Sequence, residues 1–145
     1  MLIRFRPDVI ALQPKVVVIL AGTNDIAGNT GPSTPQMIED NLMSMADLAK
    51  ANGIRVVLAS VLPAADFPWR PGLQPATKIR NLNQWIKSYC ADKGYTYLDY
   101  YSAMANEAGG LPPNLSKDGV HPTKAGYDIM GPLAEKGIAA ALNQN

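Results

Sequence analysis

The run VVVILA at residues 16–21 constrains this chain more than any other stretch. Four β-branched residues are followed by Leu20 and Ala21, between Pro14 and Gly22, with no polar residue among them. A half-exposed strand alternates apolar and polar residues. A strand without alternation is covered on both faces, as in a parallel sheet held between helices. IRVVLAS at 54–60 reads as a second buried strand, and YTYLDY at 95–100 as a third, shorter one.

Between the strands the apolar period changes to that of a helix. One helix begins near Thr34, with Pro35 at the first helical position, where its missing N–H costs nothing. Ile38, Leu42, Met45 and Leu48 then recur on one face. A second helix runs from about Pro75 to Lys93, with Ile79, Leu82, Ile86 and Tyr89 inward. The last runs from Pro122 or Thr123 to Leu142, with Gly126, Met130, Leu133, Gly137 and Ile138 along its buried side. Gly131-Pro132 falls inside it and is expected to bend or break it. Residues 2–13 read as a short helix leading into the first strand. Alternating strands and helices imply right-handed crossovers and an α/β fold, with about three parallel strands and flanking helices in a single domain, 1–145.

The totals narrow the function classes. A net charge of +1 with scattered Lys and Arg offers no field for nucleic acid. The single cysteine excludes an internal disulfide and a Cys-rich zinc site. Cys90 falls among apolar helix positions and reads as a buried, inert thiol. No apolar run nears the ~20 residues that span a bilayer, so no membrane partner is expected. Arg4, Arg6 and Asp8 interrupt the N-terminal apolar residues, unlike a signal peptide. There is no G-x-G-x-x-G and no Walker loop, and one His without a Cys cluster argues against a transition metal. Neither cofactor nor metal is expected.

In open α/β sheets, ligands gather beyond the carboxyl ends of the strands. Two polar stretches start there. GTND, 22–25, follows the first strand. Gly22 permits a tight turn and close approach of a substrate, Asn24 can offer a side-chain N–H to an oxyanion, and Asp25 can cap backbone N–H groups of its own loop. DGVH, 118–121, precedes the last helix and holds the only histidine. Asp118 can accept a hydrogen bond from one ring nitrogen of His121 and so leave the other free as a base. Each motif alone also reads as ordinary turn chemistry, an Asx turn with an exposed His in the second case.

Together the two blocks resemble those of the SGNH, or GDSL, hydrolase family. VVVILAGTNDI, VVLASVLP and DGVHPTKAGY are similar to its acylhydrolase branch, so the resemblance runs along essentially the whole chain. It implies a three-layer, flavodoxin-like fold and ester hydrolysis. His121 would be the base and acid, Asp118 its orienter, and Asn24 with Gly22 the oxyanion side. It also implies an N-terminally truncated domain. The family's G-D-S block with its nucleophilic Ser, and the block supplying a second oxyanion Gly, have no counterpart in these residues.

Two expectations follow from that departure. The strand at 16–21 becomes an open edge, so a homo-oligomer should form, by edge pairing or by exchange of segment 2–13. The chemistry becomes that of a weak hydrolase of short acyl or aryl esters, using activated water or a substitute serine. Among Ser33, Ser44, Ser60, Ser88, Ser102 and Ser116, Ser60 at the end of the second strand is the nearest candidate by position. In the loop 62–74, Phe67 and Trp69 either wall a small acyl or aryl pocket or cover the core. Arg70 reads as a surface residue. A second reading stays open, that of a catalytically impaired remnant serving as an oligomeric binding or structural module.

Overall fold

A computed structural model describes residues 1–144. Three strands, β1 (Val16–Ile19), β2 (Arg55–Ala59) and β3 (Thr96–Leu98), form one sheet in the order β1-β2-β3. Both pairings are parallel, Val17 lying beside Val56 and Leu58 beside Tyr97. Helices α1 (Phe5–Asp8) and α2 (Thr23–Ala27) are short, as is α5 (Tyr101–Met104). The long ones are α3 (Pro35–Ala51), α4 (Pro75–Lys93) and α6 (Lys124–Leu142).

The alternation of side chains along β2 separates two cores. Val56 and Leu58 pack with Ile38, Leu42 and Met45 of α3 and with Ile79, Leu82 and Ile86 of α4. Val57 and Ala59 pack with Leu98, with Met104 of α5 and with Met130 and Ala141 of α6. The crossovers β1-α3-β2 and β2-α4-β3 move across the sheet in one direction. Right-handedness therefore puts both helices on one face, and α6 covers the other. The result is the expected three-layer α/β fold with three parallel strands.

Local signals placed the long helices closely. Thr34 is extended and its Oγ1 accepts the Met37 N–H at 3.2 Å, with Pro35 next. Cys90 is 1% exposed, and burial pushes its thiol up to about 11, which leaves it protonated and inert.

Other expectations change. The strands are shorter than the apolar runs, β1 ending at Ile19 and β2 at Ala59. Residues 2–13 form three short turns, Leu2–Arg4, α1 and Ile10–Leu12, and Phe5 is buried in the core of its own chain. The expected break in α6 is absent. Pro132 lies on the exposed side of a continuous helix, where water can satisfy the carbonyl it leaves unpaired. The loop after β1 contains α2.

One buried polar contact shapes the site. Asn83, on the inner face of α4 and 6% exposed, accepts the Val61 N–H through Oδ1 at 2.7 Å. It donates from Nδ2 to the Val61 carbonyl at 3.0 Å. The chain leaving β2 has no strand partner at Val61, so the amide of Asn83 stands in for one. Replacing Asn83 by Leu leaves two buried backbone groups unpaired, at about 1–3 kcal/mol each. Asn83→Leu is expected to lower Tm by roughly 10 °C in a thermal melt. An unchanged Tm would mean that Val61 is satisfied in some other way.

Candidate active site

The turn that carries His121 is built around one carboxylate. Asp118 Oδ1 accepts from the backbone N–H of His121 at 2.8 Å, from that of Val120 at 3.0 Å and from the Ser116 hydroxyl at 3.0 Å. Gly119 between them has φ +78°. A backbone bridge joins Ser116 and Pro122, and the Thr123 N–H donates to the Leu115 carbonyl at 2.8 Å. The other carboxylate oxygen, Oδ2, lies 2.7 Å from His121 Nδ1. The backbone N–H of His121, its ring and the N–H of Val120, in that order, hold the Asp118 carboxyl well below the usual carboxylate range, with Ser116 adding to them. An ionised carboxylate can only accept, so Nδ1 donates to it, which in the neutral ring leaves Nε2 as an acceptor. The Asx turn and the Asp–His contact are therefore one structure. The side chains of His121 and Asp118 are 73% and 42% exposed, so the ring stands at the surface.

GTND forms the start of α2. Gly22 has φ +122°, and a Cβ there would meet Leu82 Cδ2 at 3.0 Å and Val61 Cγ2 at 3.1 Å. Both the backbone and the packing thus require glycine where the chain leaves β1. Its carbonyl accepts the Ile26 N–H and starts the helix. Asp25 contributes its carbonyl to Gly28, where a capping carboxylate was expected. Asn24 is exposed, and its Oδ1 accepts from Asn29 Nδ2 at 2.9 Å.

The loop 62–74 folds over α2. Asp66 ties the loop to itself, accepting the N–H of Phe67 at 2.9 Å and that of Gly72 at 3.2 Å. Phe67 has no exposed surface, which corrects its reading as a pocket wall. It lies in the core under Trp69, with ring centroids 5.3 Å apart. Trp69 is 45% exposed, donates from Nε1 to Asn29 Oδ1 at 3.2 Å, and lies 6.1 Å from the His121 ring. Arg70 is more than a surface residue. Its Nη1 donates to the carbonyls of Ala27 at 2.9 Å and Gly28 at 3.3 Å, at the C-terminus of α2. A Cβ on Gly28 would lie 2.3 Å from that nitrogen.

These elements close around a depression of about 360 Å3 lined by Thr23, Asn24, Asn29, Trp69, Val120 and His121. The two motifs, nearly a hundred residues apart, therefore share one rim of the sheet. A larger depression of about 710 Å3 lies on the other side of Asn24, between the end of β1 and the N-terminal turns.

Ser60 is not available as a nucleophile. It is completely buried, and its hydroxyl accepts the Tyr101 N–H at 2.8 Å at the start of α5. The position beside the first strand suggested reach, but a nucleophile needs access to both substrate and base. Ser116 is bound to Asp118, Ser102 to Asp99 and Ser44 to the Asp40 carbonyl. No serine lines the depression. Among the described residues, no cluster of His, Cys, Asp or Glu is grouped to hold a metal ion.

Sequence reasoning missed Asn29, Arg70, Ser116 and Asn83. Asn83 carried a signal, an amide inside the apolar face of α4. Arg70 carried none, and neither did the contact of Asn29 with Trp69, because each spans some forty residues.

Comparison with known proteins agrees with this architecture. The model of the GDSL-like lipase/acylhydrolase family matches residues 1–129. A GDSL-like lipase from Bacteroides thetaiotaomicron is 50% identical, with a TM-score of 0.92 over 97% of this chain and 69% of that one. A candidate acylhydrolase from Bacteroides fragilis is 46% identical, with a TM-score of 0.94 over 98% of this chain and 69% of that one. The acetylxylan esterase Axe2 of Geobacillus stearothermophilus shares the fold at 20% identity, with a TM-score of 0.75 over 94% of this chain and 64% of that one. No curated protein sequence matches. The two Bacteroides structures and the family match, extending through the turn that holds Asp118 and His121, establish that the chain belongs to the GDSL-like lipase/acylhydrolase family.

Proposed function

We propose that this chain hydrolyses short acyl or aryl esters, with His121 as general base and acid, Asp118 as its orienter and Asn24 as oxyanion donor. The observation that carries the reading is the 2.7 Å contact between Asp118 Oδ2 and His121 Nδ1 at a depression that Asn24 also lines. His121 Nε2 takes a proton from water, and the water oxygen bonds to the ester carbonyl carbon. Negative charge on the carbonyl oxygen is met by an N–H of Asn24, while Gly22 keeps the turn free of a side chain. The tetrahedral adduct then loses its alkoxide, which receives the proton from the imidazolium. The small volume and the Trp69 wall favour a short acyl group or an aryl group.

Water is the attacking oxygen in this reading because no serine among the described residues lines the depression. Attack by water gives modest rates, roughly 10³–10⁴-fold over the uncatalysed reaction. On p-nitrophenyl acetate, His121→Ala is expected to lower kcat/KM by about 10²-fold, with no adduct from an organophosphonate in the parent protein. A phosphonylated serine found by mass spectrometry would replace water with that residue. A parent rate equal to buffer would leave the structural-module reading.

Asp118→Asn is expected to lower kcat/KM by up to about 10²-fold, no more than His121→Ala, because the amide no longer selects the tautomer. It should also change the pH dependence of stability. The Asp118 carboxyl is depressed in the folded state, so its stabilisation is present above the ordinary value of about 4 and is lost as pH falls below it. Melting curves taken downward from about pH 5 should therefore fall more steeply for the parent than for Asp118→Asn. Parallel curves would show that the carboxylate adds nothing to folding.

We also propose that two copies associate through the open edge of β1. Among the described residues that strand pairs only with β2, and it is half-buried at Val16, Val17 and Val18. Segment 2–13 is the lesser route, since Phe5 anchors it in its own core. Sedimentation equilibrium is expected to give a dimer at micromolar concentration, and a monomer throughout would overturn the proposal.

A further inference from the structure

Resting on the ester-hydrolase reading, we propose that Trp69 and Asn29 are positioning residues that decide which end of the Asn24 amide faces the reacting carbonyl. A primary amide has an acceptor and a donor of nearly equal shape, and a half-turn about one bond exchanges them. With N–H toward the substrate, Asn24 stabilises an oxyanion. With Oδ1 there, it repels one. Something must choose.

The choice begins at the indole. Nε1 of Trp69 can donate and cannot accept, so the atom of Asn29 facing it at 3.2 Å is Oδ1. The other end of that amide, Nδ2, then faces Asn24 at 2.9 Å, and a donor there requires Asn24 Oδ1. Both N–H bonds of Asn24 are thereby turned away from Asn29. The sense of a donor-only ring is passed through two amides to the site. Each bond in the chain also polarises the next, which strengthens the final donor.

The relay has firm ends. Trp69 rests on buried Phe67, its ring 5.3 Å away, in a loop tied by Asp66. Arg70 fixes the carbonyls of Ala27 and Gly28. The Asn29 N–H donates to the Asn24 carbonyl at 2.9 Å, so the two residues are joined by main chain as well as side chain. Trp69 also lies beside the His121 ring, which places donor and base around one aromatic wall.

The order of three variants separates orientation from simple support. In Asn29→Asp the carboxylate can accept from Trp69 but cannot donate to Asn24, and it attracts the N–H bonds of Asn24 toward itself. Its kcat should fall by about 10²-fold, as for loss of an oxyanion donor. Asn29→Ala removes the instruction without reversing it, and Trp69→Phe keeps a stacking ring without the N–H. Each should lose roughly tenfold or less. KM on p-nitrophenyl acetate and Tm should stay near parent values in Asn29→Asp and Asn29→Ala. Asn29→Asp at the parent rate, or no slower than Asn29→Ala, would overturn the relay. The side-chain amide resonances of Asn24 give a readout independent of activity. They should shift in Trp69→Phe, which keeps a ring beside the depression that Asn24 also lines and removes the N–H that begins the relay. Unshifted resonances would overturn the relay even in an active enzyme. Shifted resonances in a protein without esterase activity would uphold the relay and remove the hydrolase reading.

Discussion

The grip of Asn83 on both backbone groups of Val61 is the contact on which the site geometry rests. Where β2 ends, the chain has no neighbouring strand to satisfy it, and it must still leave the sheet in a fixed direction. The amide from α4 sets that direction inside the core. The loop that follows then carries Asp66, Phe67, Trp69 and Arg70 to defined places above α2. Val61 also packs against the turn at Gly22. One buried side chain thus aligns two loops that emerge from different strands, and it does so without reaching the surface.

The fold was legible where burial and spacing are local properties. The unbroken run at 16–21 announced a strand covered on both faces, and the apolar stripes located α3, α4 and α6 closely. Legibility ended where context decides. Gly131-Pro132 was expected to bend or break α6, but the helix runs unbroken, with the proline on the solvent side and Met130 and Gly137 on the inner stripe. The strand ends could not be placed because pairing, and not the apolar run, determines them. Helix α2 was hidden because TNDIA is short and polar.

The site was half legible. DGVH and GTND are contiguous, and their chemistry can be read from residue types. The residues that hold them are distant in sequence, and nothing in the types of Asn29 or Arg70 points across some forty positions. Ser60 misled for a related reason. Its position at a strand end suggested reach, but its hydroxyl serves the backbone of α5 in the interior. Asp118 resolves an apparent conflict. The choice between a turn-forming Asp and a charge partner was false, because one oxygen shapes the turn while the other meets the imidazole.

The exposure of His121 has its own consequence. An imidazole sealed inside a protein must pass its protons along a wire of side chains or ordered water, and that wire can limit the cycle. A ring standing at the surface exchanges protons with buffer directly. In the proposed hydrolysis, recovery of this ring between events would be governed by the buffer around it and not by the interior of the molecule.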